Sequence, residues 1–424
     1  MNDERSIILD GRWKGYPLAA EPCPVENIGK LGWNLYRDDL PYPIAVLDAG
    51  ALDHNLRWMQ AYADAHGIVT APHGKTTMSP QIFRRQLEAG AWGLTLATVW
   101  QAGAGVRAGA RRILIANQVL ADADLDGLAA LLDGEPGLRV WFLVDSTAQV
   151  GQIEDWAQRR SRQAPFDCLM EIGIAGQRTG CRSAAQALEL ARRIQASPAL
   201  RLGGIECYEG GLAHGDLHGD QAAVSAFLDE VRDIAGACDD AGLFEDEDII
   251  LSAGGSAVFD VVAPALRATL SRPVRGVLRS GCYITHDHGF YAGFLRNIDA
   301  RAGLQDSLRP ALTVWALVQS VPEPGLALLS GGKRDLSFDL SLPQPVAHAP
   351  RWAQSSAPAP EGWSVTALND HHAYLRYDPQ GIAPAVGDRV VLGISHPCTT
   401  FDKWTWMPLA DEAGDVVGAV TTEF

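Results

Sequence analysis

Lys75 stands directly after a short apolar run, in the segment TAPHGKTTMSP at residues 70–80. A lysine that points into the mouth of a barrel can lose its charge by desolvation and form an imine with a carbonyl compound. A lysine after a strand is more often a solvated charge, so its position by itself is a weak indication of function. Lys75 is therefore a candidate nucleophile that needs support from the rest of the chain.

The segment SAGGSAVFD, at residues 252–260, places two glycines and a serine before a helical run. Free backbone N–H groups and the helix dipole favour an anion at such a turn, and barrel enzymes often hold phosphate near their seventh and eighth strands. The alternative is a tight turn that simply needs glycine. Gly254, Gly255 and Ser256 are thus predicted phosphate contacts.

The segment SHPCTTFDKW, at residues 395–404, carries His396 and Cys398 on either side of a proline. An imidazole and a thiolate two residues apart can share one zinc ion, with water or substrate in the open positions. Such a pair is more often a buried thiol beside a structural imidazole. The upstream segment LNDHHAYL offers further ligands or groups that orient ligands: Asp370, His371 and His372.

Two histidines and an aspartate also follow the last predicted barrel strand, in YITHDHGFY at residues 283–291. They could bind metal, but substrate contacts or polar loop groups explain them better. His286 and Asp287 are kept as pocket candidates.

Eight short apolar or β-branched runs lie between residues 68 and 281 and predict strands. In the stretches between these runs, apolar residues recur at three- and four-residue spacing, which predicts a helix after each strand. Eight such strand-helix units predict a closed parallel (β/α)8 barrel. An open doubly wound sheet is the alternative. The predicted strands are Ile68–Pro72, Gly93–Thr98, Arg112–Ala116, Arg139–Asp145, Asp167–Ile174, Arg201–Tyr208, Ile249–Gly254 and Val274–Gly281.

A barrel of this kind builds its site at the carboxyl ends of its strands. One lysine, one arginine and two tyrosines on separate strand ends indicate an assembled pocket, although strand ends are often polar because loops are solvated. The residues at these ends are His73, Lys75, Thr98, Asn117, Asp145, Arg178, Tyr208, Gly254 and Tyr283.

From about residue 310 the pattern changes to strand-like alternation, in LTVWALVQSV, LALLSGG, HAYLRY and DRVVLGIS. This predicts an α/β chain with a C-terminal all-β domain. The predicted division is an N-terminal segment at 1–42 that packs on the β domain, a barrel at 43–300, and a β domain at 301–424.

Composition limits the possible partners. The 424 residues carry 35 basic and 51 acidic side chains, a formal charge of -16, which disfavours nucleic acid. No signal peptide and no apolar run of 18 residues is found, so we expect no membrane partner. Seven scattered cysteines without a Cys-x-x-Cys motif are typical of the reducing cytoplasm.

Together these segments resemble the D-serine dehydratase and D-threonine aldolase group of pyridoxal 5'-phosphate (PLP) enzymes, which shares the alanine-racemase barrel. The resemblance is closest to the bacterial amino acid deaminase, or D-serine deaminase-like, branch. It runs from about residue 40 to the C-terminus. A Pro-His-x-Lys-Thr motif followed late in the chain by His-x-Cys is a specific combination. The segments that carry it are PIAVLDAGALDHNL, TAPHGKT, MEIGIAGQRTG, GIECYEG, SAGGS, LRSGCYITHDHG, LNDHHAYL and SHPCTTFDKW.

The resemblance implies a role for each motif. Lys75 would form the Schiff base with PLP, with His73 beside it; Arg178 would lie near the phenolic oxygen of the cofactor ring, and Tyr208 near its pyridine nitrogen. The glycine turn and Tyr283 would bind the phosphate. A divalent metal such as zinc would be held by His396 and Cys398 with His372 close by. At LNDHHAYL the chain departs from the Glu-His pair usual in the eukaryotic dehydratases. Family members are homodimers.

The activity implied is β-elimination, which converts a D-3-hydroxy amino acid such as D-serine or D-threonine into a 2-oxo acid and ammonia. Aldol cleavage to glycine and an aldehyde is the alternative, and a cysteine at 398 favours the dehydratase. A racemase would need a second base and no metal. A non-enzymatic PLP-binding protein of this barrel type would be a single domain, and a metal-dependent barrel hydrolase would need several ligands on the strand ends.

Overall fold

The structure, a computed structural model, describes residues 6–424; residues 1–5, at the start of the predicted N-terminal segment, lie outside the described residues. Within that range the strands are β1 Ile8–Leu9, β2 Cys23–Pro24, β3 Ile44–Asp48, β4 Val69–Thr70, β5 Leu94–Leu96, β6 Arg112–Gln118, β7 Arg139–Val144, β8 Phe166–Ile172, β9 Leu200–Cys207, β10 Ile249–Ala253, β11 Val274–Leu278, β12 Leu312–Glu323, β13 Leu326–Leu329, β14 Gln344–Ala349, β15 Ala357–Pro358, β16 Ser364–Leu368, β17 Ala373–Arg376, β18 Arg389–Gly393, β19 Trp406–Ala410 and β20 Val416–Thr421.

The α-helices of the same range alternate with the strands in the first two thirds of the chain. They are α1 Ala49–Ala65, α2 Pro80–Glu88, α3 Val99–Arg107, α4 Asp122–Gly134, α5 Thr147–Arg160, α6 Ala184–Gln195, α7 Gly219–Asp240, α8 Phe259–Ala265, α9 Phe290–Ala302 and α10 Cys398–Phe401. None of the described helices has the length and apolar character needed to cross a bilayer.

The eight strands from β4 to β11 form one parallel sheet, in the order β4-β11-β10-β9-β8-β7-β6-β5. The two ends of this order meet, because His73 bridges Thr95 in parallel and the N–H of Thr95 donates to the carbonyl of Pro72 at 2.9 Å. The predicted (β/α)8 barrel is confirmed, and this closure excludes the open doubly wound sheet.

Burial explains why these segments form a barrel. All residues of β8 and of β10 are buried, as expected for parallel strands covered on both faces. Helix α6 buries one stripe of side chains at helical spacing against the sheet: Ala187, Leu190, Ala191 and Ile194.

The second domain is built on antiparallel pairing around β12, which pairs with β3, β13 and β18. The predicted all-β domain is confirmed. Strand β3 differs from the predicted boundary at residue 43, because it lies in this second sheet and α1 then leads into the barrel. The N-terminal segment also contacts this domain. The guanidinium of fully buried Arg389 donates to the carbonyl of Tyr36 at 2.9 Å and pairs with Asp38 at 2.5 Å.

Candidate active site

Lys75 lies in a short 3-10 turn, Gly74–Thr76, just beyond β4. A Cβ on Gly74 would lie 2.7 Å from Leu96 and Phe83, so only glycine lets the turn pack this closely on the barrel wall. The lysine side chain is exposed in the open mouth, while protein surrounds much of its length. This partial burial lowers the pKa of Lys75, and the nearby positive charges of Arg178 and Arg279 lower it further.

Within the described residues no hydrogen bond or ion pair engages the ammonium of Lys75. An amine with a lowered pKa and no competing partner is suited to imine formation. We define the lysine cluster as Lys75 with three other side chains that the structure brings around it: His73, Arg178 and Tyr208.

These three side chains come from the ends of three strands. Arg178 stacks on Tyr208, with 4.0 Å between the guanidinium carbon and the ring centroid. The Nδ1 atom of His73 is buried without a partner, and burial lowers the pKa of this imidazole well below its usual value. Burial also raises the pKa of Tyr208, as does the neighbouring Glu209 carboxylate, so the phenol stays protonated. The cluster therefore places a neutral imidazole, a neutral phenol and the Arg178 cation around Lys75.

The glycine turn lies against this cluster. A Cβ on Gly254 would come within 2.9 Å of the Tyr208 ring, so the glycine allows the ring to rest on the turn. Its N–H groups do not point into empty space. Those of Gly254 and Gly255 donate to the buried carboxylate of Glu209, at 3.0 and 2.6 Å. The turn thus binds the carboxylate of Glu209 through its backbone N–H groups. Ser256 follows directly after these two glycines.

A buried ion pair lies below the mouth. Arg279 pairs with Glu206, and both side chains are nearly inaccessible to solvent. Burial raises the pKa of Glu206 to about 7, and the Arg279 charge opposes this shift. The Nε atom of Arg279 and one carboxylate oxygen of Glu206 are buried without a partner. Buried polar groups are rarely left unsatisfied, so these two atoms are candidate contacts for a bound ligand.

The residues present fit PLP. The lysine is free to form an imine, and the buried Nδ1 atom of His73 and Nε atom of Arg279 still lack hydrogen-bond partners. The N–H groups of Gly254 and Gly255 are engaged by Glu209, so the predicted phosphate contact at this turn stays a prediction. Sequence reasoning missed Glu209, Glu206 and Arg279. Their positions at the ends of β9 and β11 were the available signal, but a charged residue at a strand end does not reveal its partner.

The second domain contributes His396, in the turn between β18 and α10, and Cys398, the first residue of α10. The Nδ1 atom of His396 is 2.6 Å from a carboxylate oxygen of Asp339. Burial opposes protonation of His396, but hydrogen bonds with Cys398 and Asp339 outweigh it and raise its pKa to about 9. A carboxylate on one imidazole nitrogen is the arrangement that orients histidine ligands of metals.

The Cys398 thiol reaches the barrel. Its sulfur lies 3.5 Å from the hydroxyl oxygen of Thr76, the residue after Lys75, and 3.8 Å from the sulfur of Cys282. The hydrogen bond from Cys282 lowers the pKa of Cys398 well below its usual value; burial opposes this shift, and His396 adds to it. We call Cys282 and Cys398 the thiol pair.

The donor chemistry of His396 and Cys398 fits a zinc-like ion, since imidazole nitrogen and thiolate sulfur are its preferred ligands. In residues 6–424 no group of three or more histidine, cysteine or acidic side chains is already gathered as a metal site. His396 and Cys398 are therefore candidate ligands on the basis of their donor atoms and their closeness. Asp339 was missed from the sequence, where nothing marks it.

The remaining predicted residues lie apart from these contacts. The hydroxyl of Tyr283 accepts a hydrogen bond from Gln86 of α2 at 3.2 Å, and no described hydrogen bond joins it to the glycine turn. This placement differs from the predicted phosphate contact. His372 is exposed in the turn between β16 and β17 and has no described side-chain contact with His396 or Cys398.

His286 and Asp287 are buried just after the 3-10 turn Cys282–Ile284. The carboxylate of Asp287 accepts N–H groups from Gly289 at 2.9 Å and Ala292 at 3.2 Å, so it caps the start of α9. Burial lowers the pKa of His286 to about 4. Both therefore have a structural explanation as loop residues.

Two family profiles match the chain. The one described as "Alanine racemase, N-terminal domain" matches residues 47–273, and the one described as "Putative serine dehydratase domain" matches residues 311–410. The first covers more than half of the chain. The chain therefore belongs to the alanine racemase N-terminal domain family, whose members are PLP enzymes of fold type III, and the resemblance drawn from its motifs is confirmed.

Individual relatives extend the match to both domains. The chain is 28% identical to a D-threonine aldolase of Arthrobacter sp. over 369 residues, which are 85% of this chain and 86% of that protein. It is 27% identical to a D-threo-3-hydroxyaspartate dehydratase of Delftia sp. over 303 residues, 71% of this chain and 73% of that protein. The crystal structure of a D-threonine aldolase from Filomicrobium marinum superimposes with a TM-score of 0.75 at 25% identity, covering 92% and 97% of the two chains.

Proposed function

We propose that this PLP-dependent lyase removes the β-hydroxyl of a D-3-hydroxy amino acid with the help of a divalent metal, giving a 2-oxo acid and ammonia. The observation that carries the proposal is the contact of Cys398 with Thr76, because it brings the candidate metal ligands of one domain beside the Lys75 turn of the other. A leaving hydroxyl and a Cα proton can then be handled in one pocket.

Two absent groups would supply chemistry there. PLP, held by Lys75, would act as the electron sink for the bond broken at Cα. A zinc-like ion, held by His396 and Cys398, would supply Lewis-acid stabilisation of negative charge on an oxygen.

The chain's own residues have definite tasks. The lowered pKa of Lys75 leaves a larger neutral fraction of the amine, which can accept the Cα proton when the amine is free. Arg178 places a positive charge beside Tyr208 at the mouth, where it can orient an anionic group. Tyr208, whose phenol stays protonated, would offer a bound PLP ring a hydrogen-bond partner that carries no charge. Overall, water is lost and then regained on hydrolysis, so the amino acid yields a 2-oxo acid and ammonium.

Aldol cleavage is the second candidate. The observation that favours it is the match to D-threonine aldolase along 86% of that protein's length. The same pocket would then need a base for the β-hydroxyl proton, and the Cα–Cβ bond would break. The thiol at position 398 supports elimination, since the resemblance associates the aldolases with an oxygen ligand there.

We propose further that the enzyme works as a homodimer in the cytoplasm on a small-molecule substrate. Phe338 and Leu340, which flank Asp339, are exposed at 44% each, and apolar groups beside a site suit contact with a second copy. All seven cysteines are free, as a reducing compartment allows.

Product analysis with D-threonine tests the proposal. PLP-loaded protein is incubated with the substrate before and after treatment with a chelator, with L-threonine and the Lys75→Ala variant as controls. We expect 2-oxobutanoate and ammonia from the D-isomer alone, lost on chelation and restored by zinc. Glycine and acetaldehyde would establish the aldolase instead. No product from D-threonine, D-serine or 3-hydroxy-D-aspartate would overturn both candidates.

A further inference from the structure

The thiol pair joins the two domains at the mouth of the barrel. Cys282 is buried in the turn after β11, the last barrel strand, and Cys398 begins α10 of the second domain, 116 residues later. Both sulfurs also approach the hydroxyl of Thr76, Cys282 at 3.8 Å and Cys398 at 3.5 Å. The function proposed above uses Cys398 and leaves Cys282 without a role.

The separation of the two sulfurs is informative. At 3.8 Å they are far beyond the roughly 2.05 Å of a disulfide bond. Two sulfurs bound to one tetrahedral zinc ion, each about 2.3 Å from it, would lie about 3.8 Å apart. The pair is thus spaced as two ligands of one ion, without any backbone movement.

The surroundings of the pair match such a role. His396 lies beside Cys398, and the carboxylate of Asp339 orients its imidazole through Nδ1. A set of two thiolates and one imidazole leaves a fourth tetrahedral position open, which is the pattern of catalytic zinc sites. The three side chains are not yet closed around one point, so binding would draw the imidazole of His396 towards the sulfurs.

We propose that Cys282 is a second sulfur ligand of the metal ion assigned above to His396 and Cys398, so that the ion is held by two thiolates and one imidazole and bridges the barrel to the β domain. This inference rests on the metal dependence in the proposed function. It specifies the class of ion, because thiolates select zinc-like ions and disfavour magnesium, calcium and manganese. The hydroxyl of Thr76 approaches both sulfurs, so the ion would lie beside the Lys75 turn.

Cobalt(II) provides a probe that does not depend on activity. Full-length protein is stripped with a chelator under reducing conditions and reloaded with Co²⁺, and the sulfur-to-cobalt charge-transfer absorbance is measured per bound ion. We expect one ion per chain, and about half the wild-type absorbance in Cys282→Ser and in Cys398→Ser, because each retains one of two sulfurs. We also expect Cys282→Ser to bind zinc at least about tenfold more weakly.

Cys238→Ser is the matched control, since Cys238 is a buried thiol on α7 in the outer helical layer. It should leave the absorbance and the affinity unchanged. Cys282→Ala guards against a folding artefact, and both Cys282 variants are checked for retained PLP absorbance. A folded Cys282→Ser or Cys282→Ala variant with wild-type charge-transfer absorbance and affinity would overturn the inference. So would wild-type protein that, fully reduced, binds no cobalt.

The result is separable from the proposed reaction. If the spectrum reports two sulfurs but no D-3-hydroxy amino acid is consumed, the ligand assignment stands and the substrate proposal fails. If product forms and depends on zinc while the Cys282 variants keep the wild-type spectrum, the reaction stands and Cys282 is not a ligand.

Discussion

The barrel mouth and the metal-ligand turn of the β domain are assembled in different ways. In the barrel, Lys75, Arg178 and Tyr208 follow three different strands, and parallel topology brings their ends to one rim. In the β domain, His396 and Cys398 are two residues apart in one turn, but their partners Asp339 and Cys282 come from distant segments. The first site is positioned by the order of strands, whereas the second depends on how two domains pack.

The two regions are mechanically linked. The N–H of Glu423, after the last strand of the β domain, donates to the carbonyl of Met78 at 2.7 Å. The side chain of Gln81 on α2 donates to the hydroxyl of Thr421 at 3.0 Å. The turn that carries Lys75 is therefore braced by the second domain, and the contact of Cys398 with Thr76 adds to this bracing.

The largest effect should follow from Lys75→Ala. Since this amine is the only proposed covalent partner of PLP, we expect the imine absorbance to disappear and product formation to fall by roughly 10³-fold or more. Absorption spectra and product assays measure both. Lys30→Ala, which changes an exposed lysine bonded to Asn27, is the control. Retained activity with an imine at another lysine would show that the barrel mouth is not organised around Lys75.

An intermediate effect is expected from Asp339→Asn. The carboxylate orients the His396 imidazole, so its loss should weaken zinc binding about 10- to 100-fold. The lysine cluster is unchanged, so the absorbance of bound PLP should be retained. Competition with a chelator of known affinity measures this. Asp402→Asn, at an exposed carboxylate paired with Lys403, should leave zinc binding unchanged. Equal affinity in both variants would mean that His396 needs no orienting partner.

The smallest effect is expected from Thr98→Ala, which changes a polar residue that follows β5 and caps a helix. The hydroxyl of Thr98 accepts the N–H of Gln101 at 3.2 Å and caps α3. Thr98→Ala should therefore lower the free energy of unfolding by about 1 kcal/mol, as measured by urea denaturation. A PLP dissociation constant raised tenfold in this variant would instead place Thr98 in the cofactor pocket. This variant separates strand ends that form the site from strand ends that only stabilise helices.

The chain's own patterns predicted the barrel because its signals are local. The eight buried runs, the helical spacing between them and the rule that parallel strands end on one rim are all readable within short segments. The same rule brought Lys75, Arg178 and Tyr208 together without any knowledge of their contacts. The predicted barrel boundary at residue 43 included β3, which pairs with β12 in the second sheet, because an apolar run does not indicate which sheet it joins.

The partners of the charged and sulfur groups depend on the packing of distant segments. The sequence contains Glu209, but only packing places its carboxylate on the amides of Gly254 and Gly255. It contains seven cysteines, but only the docking of two domains brings Cys282 to Cys398 across 116 residues. Periodicity records which face of an element is buried, because burial depends on local polarity. It does not record which buried groups meet, because that depends on the relative positions of elements far apart in the chain.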